Sequence, residues 1–467
     1  MTSSLQLKLL PSKLSSLSSK NTTGAQEKQR TEQSNHRLKT TIKVPGSKPR
    51  IISSVYGKIK TIILFFPTNG AYSIYPYFEF VKELIVQMGG GGRQFLLIAE
   101  SNTLSEDQSK ALYILANQKG NYFCQVPIIY DSSDLAPWAQ DCFLPITYNV
   151  AGKDQTYLVE PCNESSNKNV ARELVHSLEE IGLANLNIQH SDSLVPFVGG
   201  NVLIGKNFTL IGLNRTNKET IKEHGENWLG KNIILLESKS TDLHLFWPEC
   251  RSTSDGYCNK YEASAERQAV FHLDLFITLA GKNKEGQEIL VIGEPVIGFS
   301  ITDDTPFDIK ELIKDVITQT TRAIEETIFH LKRELRNLSI PFKIIRNHLP
   351  LTYYDERIDH QKTRYWCWAS YNNCLVEHYY DNSGLDPRVV KNVIMPSYGI
   401  NSDYSSKKCA ETRELYGSWT DLHIYDLQNQ WLWEDLGYEV TLMRQDYNPF
   451  IRRQGSLNCL TNCIERE

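Results

Sequence analysis

Short apolar runs alternate with longer amphipathic stretches from residue 58 to the end of the chain. The runs at 60–67 and 93–100 are continuous, as strands buried on both faces require. Between them, 78–88 repeats its apolar residues at helical spacing. Strands are predicted at 156–160, 202–204, 209–212, 232–236, 272–279 and 288–293, and an amphipathic helix at 169–181. In 307–338 apolar residues recur three and four positions apart, which predicts one long helix or two. Further strands are expected at 342–345, 371–376, 393–396 and 438–443, with a helix at 421–434. Short strands interleaved with helices place the chain in the α/β class.

The first 50 residues break this pattern. They are rich in Ser, Thr, Lys and Gln, with ten Lys/Arg against only Glu27 and Glu32. Such a segment buries too little apolar area to offset its ordering entropy. The expected division is therefore a disordered basic tail, 1–50, and a folded body, 51–467. An acid-free, Ser-rich start also suits an organelle transit peptide, but no arginine precedes Arg30.

A net charge of −5 argues against a general nucleic-acid binder, which needs a dense basic surface. No stretch of 18 apolar residues occurs, so no membrane span is expected. Ten cysteines are scattered through the chain and 1–50 lacks the apolar core of a signal peptide. Reduced thiols in the cytoplasm are the expectation. The glycine run 89–92 lacks the Lys-Ser/Thr of a nucleotide loop and reads as a turn. No fixed-period repeat stands out.

Four short segments carry candidate chemistry: Trp138-Ala139-Gln140-Asp141, Gly199-Gly200-Asn201, Phe271-His272-Leu273-Asp274, and Gly455-Ser456-Leu457-Asn458-Cys459-Leu460-Thr461-Asn462. On a strand, His272 and Asp274 would point to the same side. A proton-transfer group and an anion could then address one substrate. Cys459 follows a strand and a turn, a place expected to expose a thiol. Each piece alone also has a structural reading: a core histidine beside a buried acid, a small apolar cysteine, a core aromatic, a glycine turn.

In this order and spacing the segments resemble the guanidino-group modifying superfamily, nearest its agmatine deiminase and bacterial peptidyl-arginine deiminase branch. Ser370-Tyr371-Asn372-Asn373-Cys374-Leu375-Val376 and Asn392-Val393-Ile394-Met395-Pro396-Ser397-Tyr398-Gly399 are similar to that branch's late strand pair. The resemblance runs from about residue 58 to the C-terminus. It implies a five-bladed α/β propeller of pseudo-fivefold ββαβ repeats. It also implies that Asp141 and Asp274 accept hydrogen bonds from a guanidinium and that Cys459 attacks its carbon. His272 would act as acid, then base. Trp138, Gly200 and Asn201 would line the substrate pocket. Neither cofactor nor metal is implied, because the substrate's own positive charge makes its carbon electrophilic. The chain departs from the family where Gln140 replaces an Arg and Val198 replaces an acid. The segments 247–260 and 355–368 read as insertions over the site.

Other readings stay open. An amidinotransferase would use the same residues with an acceptor amine in place of water. Gln361 six residues before Cys367-Trp368-Ala369 resembles the start of a papain-like peptidase, with Cys367 opening a helix and His423 as its base. A lapsed enzyme could keep the pocket as a binding protein, as Gln140 and Val198 suggest. His244, Cys250 and Cys258 form a loosely spaced zinc candidate. The reacting group is the same for agmatine, arginine and peptidyl-arginine.

Overall fold

A computed structural model describes residues 43–67, 74–100, 103–128, 135–162, 169–183, 186–213, 218–236, 251–252, 257–260, 270–303, 305, 307–358, 361–382, 386–399, 419–444, 447, 450 and 455–467. Residues from Val44 to Glu467 form one compact unit. In chain order, β1 (Ser47–Ile51) and β2 (Ile59–Phe65) lead to α1 (Ile74–Gln87), β3 (Gln94–Ala99), α2 (Glu106–Gln118) and β4 (Tyr122–Pro127). Then come α3 (Ala139–Cys142), β5 (Leu144–Val150), β6 (Lys153–Glu160), α4 (Val170–Glu180) and β7 (Ile188–Asp192). β8 (Val202–Ile204), β9 (Thr209–Gly212), α5 (Lys218–Leu229) and β10 (Ile233–Leu236) follow. Next are β11 (Arg251–Ser252), β12 (Tyr257–Lys260), β13 (Ile277–Lys282), β14 (Glu288–Ile297), α6 (Phe307–Asn337), β15 (Phe342–Ile358) and β16 (Gln361–Trp368). The last elements are β17 (Leu375–Asp381), β18 (Arg388–Met395), α7 (Trp419–Asp435), β19 (Glu439–Leu442) and β20 (Thr461–Arg466).

Among the described residues the strands form five sheets. One unit recurs in each: an antiparallel strand pair, a helix, then a strand parallel to the second of the pair. It appears as β5–β6–α4–β7, β8–β9–α5–β10, β13–β14–α6–β15 and β17–β18–α7–β19. The fifth copy draws on both ends of the chain. β20 pairs antiparallel with β2, and β3 lies parallel to β2 beyond α1. The C-terminal strand thus completes the sheet that the first part of the body begins.

Sequence and burial agree in the core. Ile309, Leu312, Ile313, Val316, Ile324, Ile328, Leu331 and Leu335 of α6 are all buried. Their three- and four-residue spacing keeps one helix face against the sheet, each contributing about 2 kcal/mol. Helix α2 starts at a capping box in which Ser105 and Gln108 each bond the other's backbone N–H. Distant parts are joined by a buried ion pair. Arg93 Nη2 donates to both carboxylate oxygens of Glu377 at 3.0 Å, and Ile59 N–H donates to Glu377 Oε1 at 2.7 Å. Among the described residues no helix is long and apolar enough to cross a membrane.

Several expectations need correction. Residues 47–50 belong to the folded unit, not to the tail, because β1 pairs with β5; residues 1–42 lie outside the described residues. The strand expected at 371–376 begins only at Leu375, and 371–373 is a turn. Buried amides divert the backbone there, Asn372 Nδ2 bonding Thr278 Oγ1 and the Val291 carbonyl. The strand expected at 342–345 extends to Ile358 and pairs along its far half with β16. The two expected insertions meet, since β12 pairs in parallel with β16. The turn at 89–92 is as expected, with Gly90, Gly91 and Gly92 all at positive φ.

Candidate active site

Each of the four motif segments supplies a short turn rather than a regular strand. α3 is a four-residue turn that carries Gln140 and Asp141. Gly199–Asn201 is a single 3₁₀ turn whose Asn201 N–H donates to the Val198 carbonyl at 2.9 Å. Leu273–Leu275 is a second 3₁₀ turn, so His272 and Asp274 do not sit on the strand that their spacing predicts. The cause is local. Leu273 N–H is taken by the Asn201 Oδ1 at 3.0 Å, and Leu275 and Phe276 N–H close back onto the His272 and Leu273 carbonyls. Cys459 lies in the turn 457–460 just ahead of β20.

These turns converge. One side-chain ligand atom each from His272, Asp274 and Cys459 lie within 4.8 Å of one another, and all three residues are buried. Asp141 Oδ1 is 4.0 Å from His272 Nδ1 and accepts the Gly200 N–H at 3.0 Å. Gly200 is hemmed in by the same groups. A Cβ there would lie 2.5 Å from His272 Nδ1 and 3.1 Å from Asp274 Oδ1, so only glycine fits. The His272 ring stacks on Phe271 with centroids 4.0 Å apart. Trp138 packs on Gly455 so closely that a Cβ there would meet the ring at 2.1 Å.

Two residues without an assigned role from sequence hold the centre together. Asn373 Nδ2 donates to Asp274 Oδ2 at 2.7 Å and to Cys459 Sγ at 3.1 Å, while its Oδ1 accepts Cys459 N–H at 3.1 Å. Asn458 Nδ2 donates to Asp274 Oδ2 at 3.0 Å and to Gln140 Oε1 at 2.8 Å. Gln140, one of the two departures from the family pattern, therefore anchors the amide that anchors Asp274. The signal was in the sequence, since both asparagines stand next to a cysteine, but adjacency does not say what a side chain reaches.

The electrostatics of these buried groups suit a bound cation. Burial, then the neighbouring Asp141, pushes the Asp274 carboxyl up to about 7, against the pull of Asn458, Cys459 and Asn373. Burial, then Asp274 and Asp141, pushes the Cys459 thiol well above its ordinary value. The expectation of an exposed thiol is thus corrected: Cys459 is 2% exposed, enclosed by the elements that converge on it. His272, Asp274 and Cys459 also form a donor set that can hold a borderline metal ion. A second such group, Glu160, His190 and Asp192, is engaged otherwise: Glu160 accepts Ala171 N–H at the start of α4, and Asp192 pairs with Arg172 at 3.1 Å.

The peptidase expectation fails on geometry. Cys367 lies inside β16, not at the start of a helix, and burial pushes its thiol up to about 12. His244 and Cys250 of the zinc candidate, and the side chain of Cys258, lie outside the described residues. Cys124, Cys142, Cys162, Cys367, Cys374, Cys459 and Cys463 are free thiols.

No family model and no curated protein matches the sequence. Solved structures do match. A protein provisionally assigned as an agmatine deiminase aligns with a TM-score of 0.51 at 14% identity, over 89% of this chain and 95% of its own. A protein provisionally assigned as a peptidyl-arginine deiminase aligns with a TM-score of 0.49 at 18% identity, over 89% of this chain and 98% of its own. The agmatine deiminase of C. jejuni aligns with a TM-score of 0.47 at 13% identity, over 90% and 98%. Taken with the recurring strand–strand–helix–strand unit, the first of these likenesses gives this chain the mixed α/β fold of that provisionally assigned agmatine deiminase.

Proposed function

We propose that this chain is a cysteine-dependent hydrolase that converts a guanidino group to a ureido group and ammonia. The observation that carries this reading is the meeting of Cys459, His272 and Asp274 within 4.8 Å, with Asp141 beside the imidazole. Two carboxylates suit a guanidinium, a planar cation with a fixed fork of N–H donors. A cation between Asp141 and Asp274 offsets the charges that hold the Cys459 thiol protonated. The thiol proton passes to His272, and the thiolate adds to the guanidinium carbon. His272 returns the proton to the departing nitrogen as the C–N bond breaks and ammonia leaves. Water then gives a proton to His272 and adds to the carbon. The C–S bond breaks, the sulfur takes the proton back from His272, and the added hydroxyl releases its proton to solvent as the carbon keeps the oxygen as a ureido carbonyl.

The five sheets with a common unit support reading the body, 44–467, as a five-bladed propeller, with residues ahead of it as a basic tail. In that arrangement the short turns between sheets gather at one end of the ring, where side chains distant in sequence share a pocket. Trp138, Gly200 and Asn201 belong to this pocket through packing and backbone contacts rather than through proton transfer. We favour water over an acceptor amine, which separates the hydrolase from an amidinotransferase. A cytoplasmic location fits the free thiols.

The direct test offers arginine, agmatine and an arginyl peptide separately and measures ureido product and ammonia. Turnover of one of them is expected. No change in any of the three, with glycine accepting an amidino group from arginine, would replace the hydrolase by a transferase. Cys459→Ala is expected to leave less than about one part in a thousand of turnover; a binding protein that has lost catalysis would show no turnover before the change and unaltered ligand affinity after it. Gly200→Ala is expected to lower kcat/KM at least about 100-fold, because the added methyl displaces the imidazole by a fraction of an ångström to an ångström. An unfolding midpoint near that of the parent protein would place that loss at the site.

A further inference from the structure

We propose that Asn373 is a positioning residue of the centre, which locks the Cys459 sulfur against the Asp274 carboxylate and donates a hydrogen bond to the sulfur as negative charge develops there. The proposal rests on the reading of Cys459 as nucleophile and adds to it a residue outside the four motif segments. Asn373 is fully buried and its amide has one workable orientation. The NH₂ group faces two acceptors, Asp274 Oδ2 at 2.7 Å and Cys459 Sγ at 3.1 Å, while the oxygen faces a donor, Cys459 N–H at 3.1 Å. Turning the amide over would set oxygen against a carboxylate and a sulfur, and NH₂ against an N–H. The Asn373 carbonyl accepts Asn458 N–H at 3.3 Å, so the same residue grips the nucleophile turn from both its side chain and its backbone.

The consequence is chemical as well as mechanical. In the protonated state the Cys459 thiol donates to Asp274 Oδ2 at 3.5 Å. When the proton leaves, that contact becomes a repulsion between two anions. The Asn373 N–H bond to sulfur strengthens instead, because a donor facing a charged acceptor is roughly twice as strong as one facing a neutral acceptor. Its second N–H stays on Asp274, spreading the charge of the neighbour that opposes ionisation. A residue that only filled space would tolerate an isosteric acid. A donor would not.

The test reads the thiol itself. Alkylation of Cys459 in the full-length protein by iodoacetamide is followed by mass spectrometry across pH, with millimolar guanidinium ion present to occupy the acid pair. Asn373→Ala, Asn373→Ser and Asn373→Asp are compared with the parent, each checked for folding by circular dichroism. The expected result is a labelling profile moved to higher pH in the Ala and Ser variants, with about tenfold slower labelling at pH 8. Asn373→Asp, although nearly isosteric, is expected to be the slowest of all. Profiles that superimpose on the parent's overturn the proposal, as does an Asp variant that labels like the parent while Ala does not. Failure of all three variants to fold overturns it too, by making Asn373 a folding residue. If the parent labels at another cysteine and not at 459, the nucleophile reading itself falls, and that outcome is distinct from an unchanged profile at a reactive Cys459.

Discussion

Asp274→Asn is expected to abolish turnover and at the same time stabilise the protein above pH 7. Asp274 is 1% exposed, and its carboxyl is pushed from 3.8 to about 7 by burial and by Asp141. The folded state therefore holds a proton that the unfolded chain has already released over that interval. Stability from this group is complete below about 3.8, falls as pH rises, and is lost above about 7. At about 1.4 kcal/mol per pKa unit, the loss amounts to about 4 kcal/mol. An asparagine side chain carries no charge to bury, and its oxygen can still accept from Asn373 and Asn458. The unfolding midpoint of the variant at pH 8 should exceed the parent's by several degrees, and the gap should close towards pH 4. Equal midpoints at pH 8 would mean that Asp274 carries no such penalty. The loss of turnover has the same origin: the destabilising charge is the one the proposed substrate needs.

The second large effect concerns the frame. Glu377→Ala is expected to destabilise the protein by about 3–5 kcal/mol, because it leaves the Arg93 guanidinium buried without its partner. The pair is closed to solvent, with side-chain exposures of 8% and 4%. Glu377 also accepts Ile59 N–H at the start of β2 and Asn392 Nδ2 at 3.2 Å, so its removal orphans donors from three parts of the chain. Arg93→Met combined with Glu377→Leu should recover most of the loss, since neither charge then remains to be solvated. Urea unfolding of the single and double variants measures this. A single variant within about 0.5 kcal/mol of the parent would show the pair to be dispensable.

Much of the site was legible without coordinates. His272, Asp274, Asp141 and Cys459 were singled out from the order of their segments, and the structure brings three of them within 4.8 Å with Asp141 adjacent. Their spacing puts His272 and Asp274 on one side of a strand, whereas a 3₁₀ turn stands there. That turn is imposed by Asn201 Oδ1, 72 residues away in sequence, which takes a backbone N–H that a ladder would have used. Helix α2 and strand β4 are among the elements that leave little trace in the sequence, for a different reason. α2 buries only Leu112 and Ala116, too few positions to show a period, and its clearest mark was the Ser105 and Gln108 capping box. The apolar run marks strand β15 only as far as residue 345, because Arg346, Asn347 and His348 interrupt it.

The sequence by itself determined the α/β class, the long buried-face helix 307–337, a dozen of the strands in whole or in part, and the candidate residues of the site. The elements rest on local periodicity, a property of neighbours in the chain, and the candidate residues on the resemblance that four short segments carry. Only the tertiary structure decided that β2 and β20, from opposite ends of the body, share a sheet, that Cys459 is enclosed rather than exposed, and that Asn373 and Asn458 brace it. Those features depend on contacts between residues tens to hundreds of positions apart. Burial and the approach of two carboxylates set the protonation of the thiol, and neither is encoded in any window of the chain short enough to read by eye.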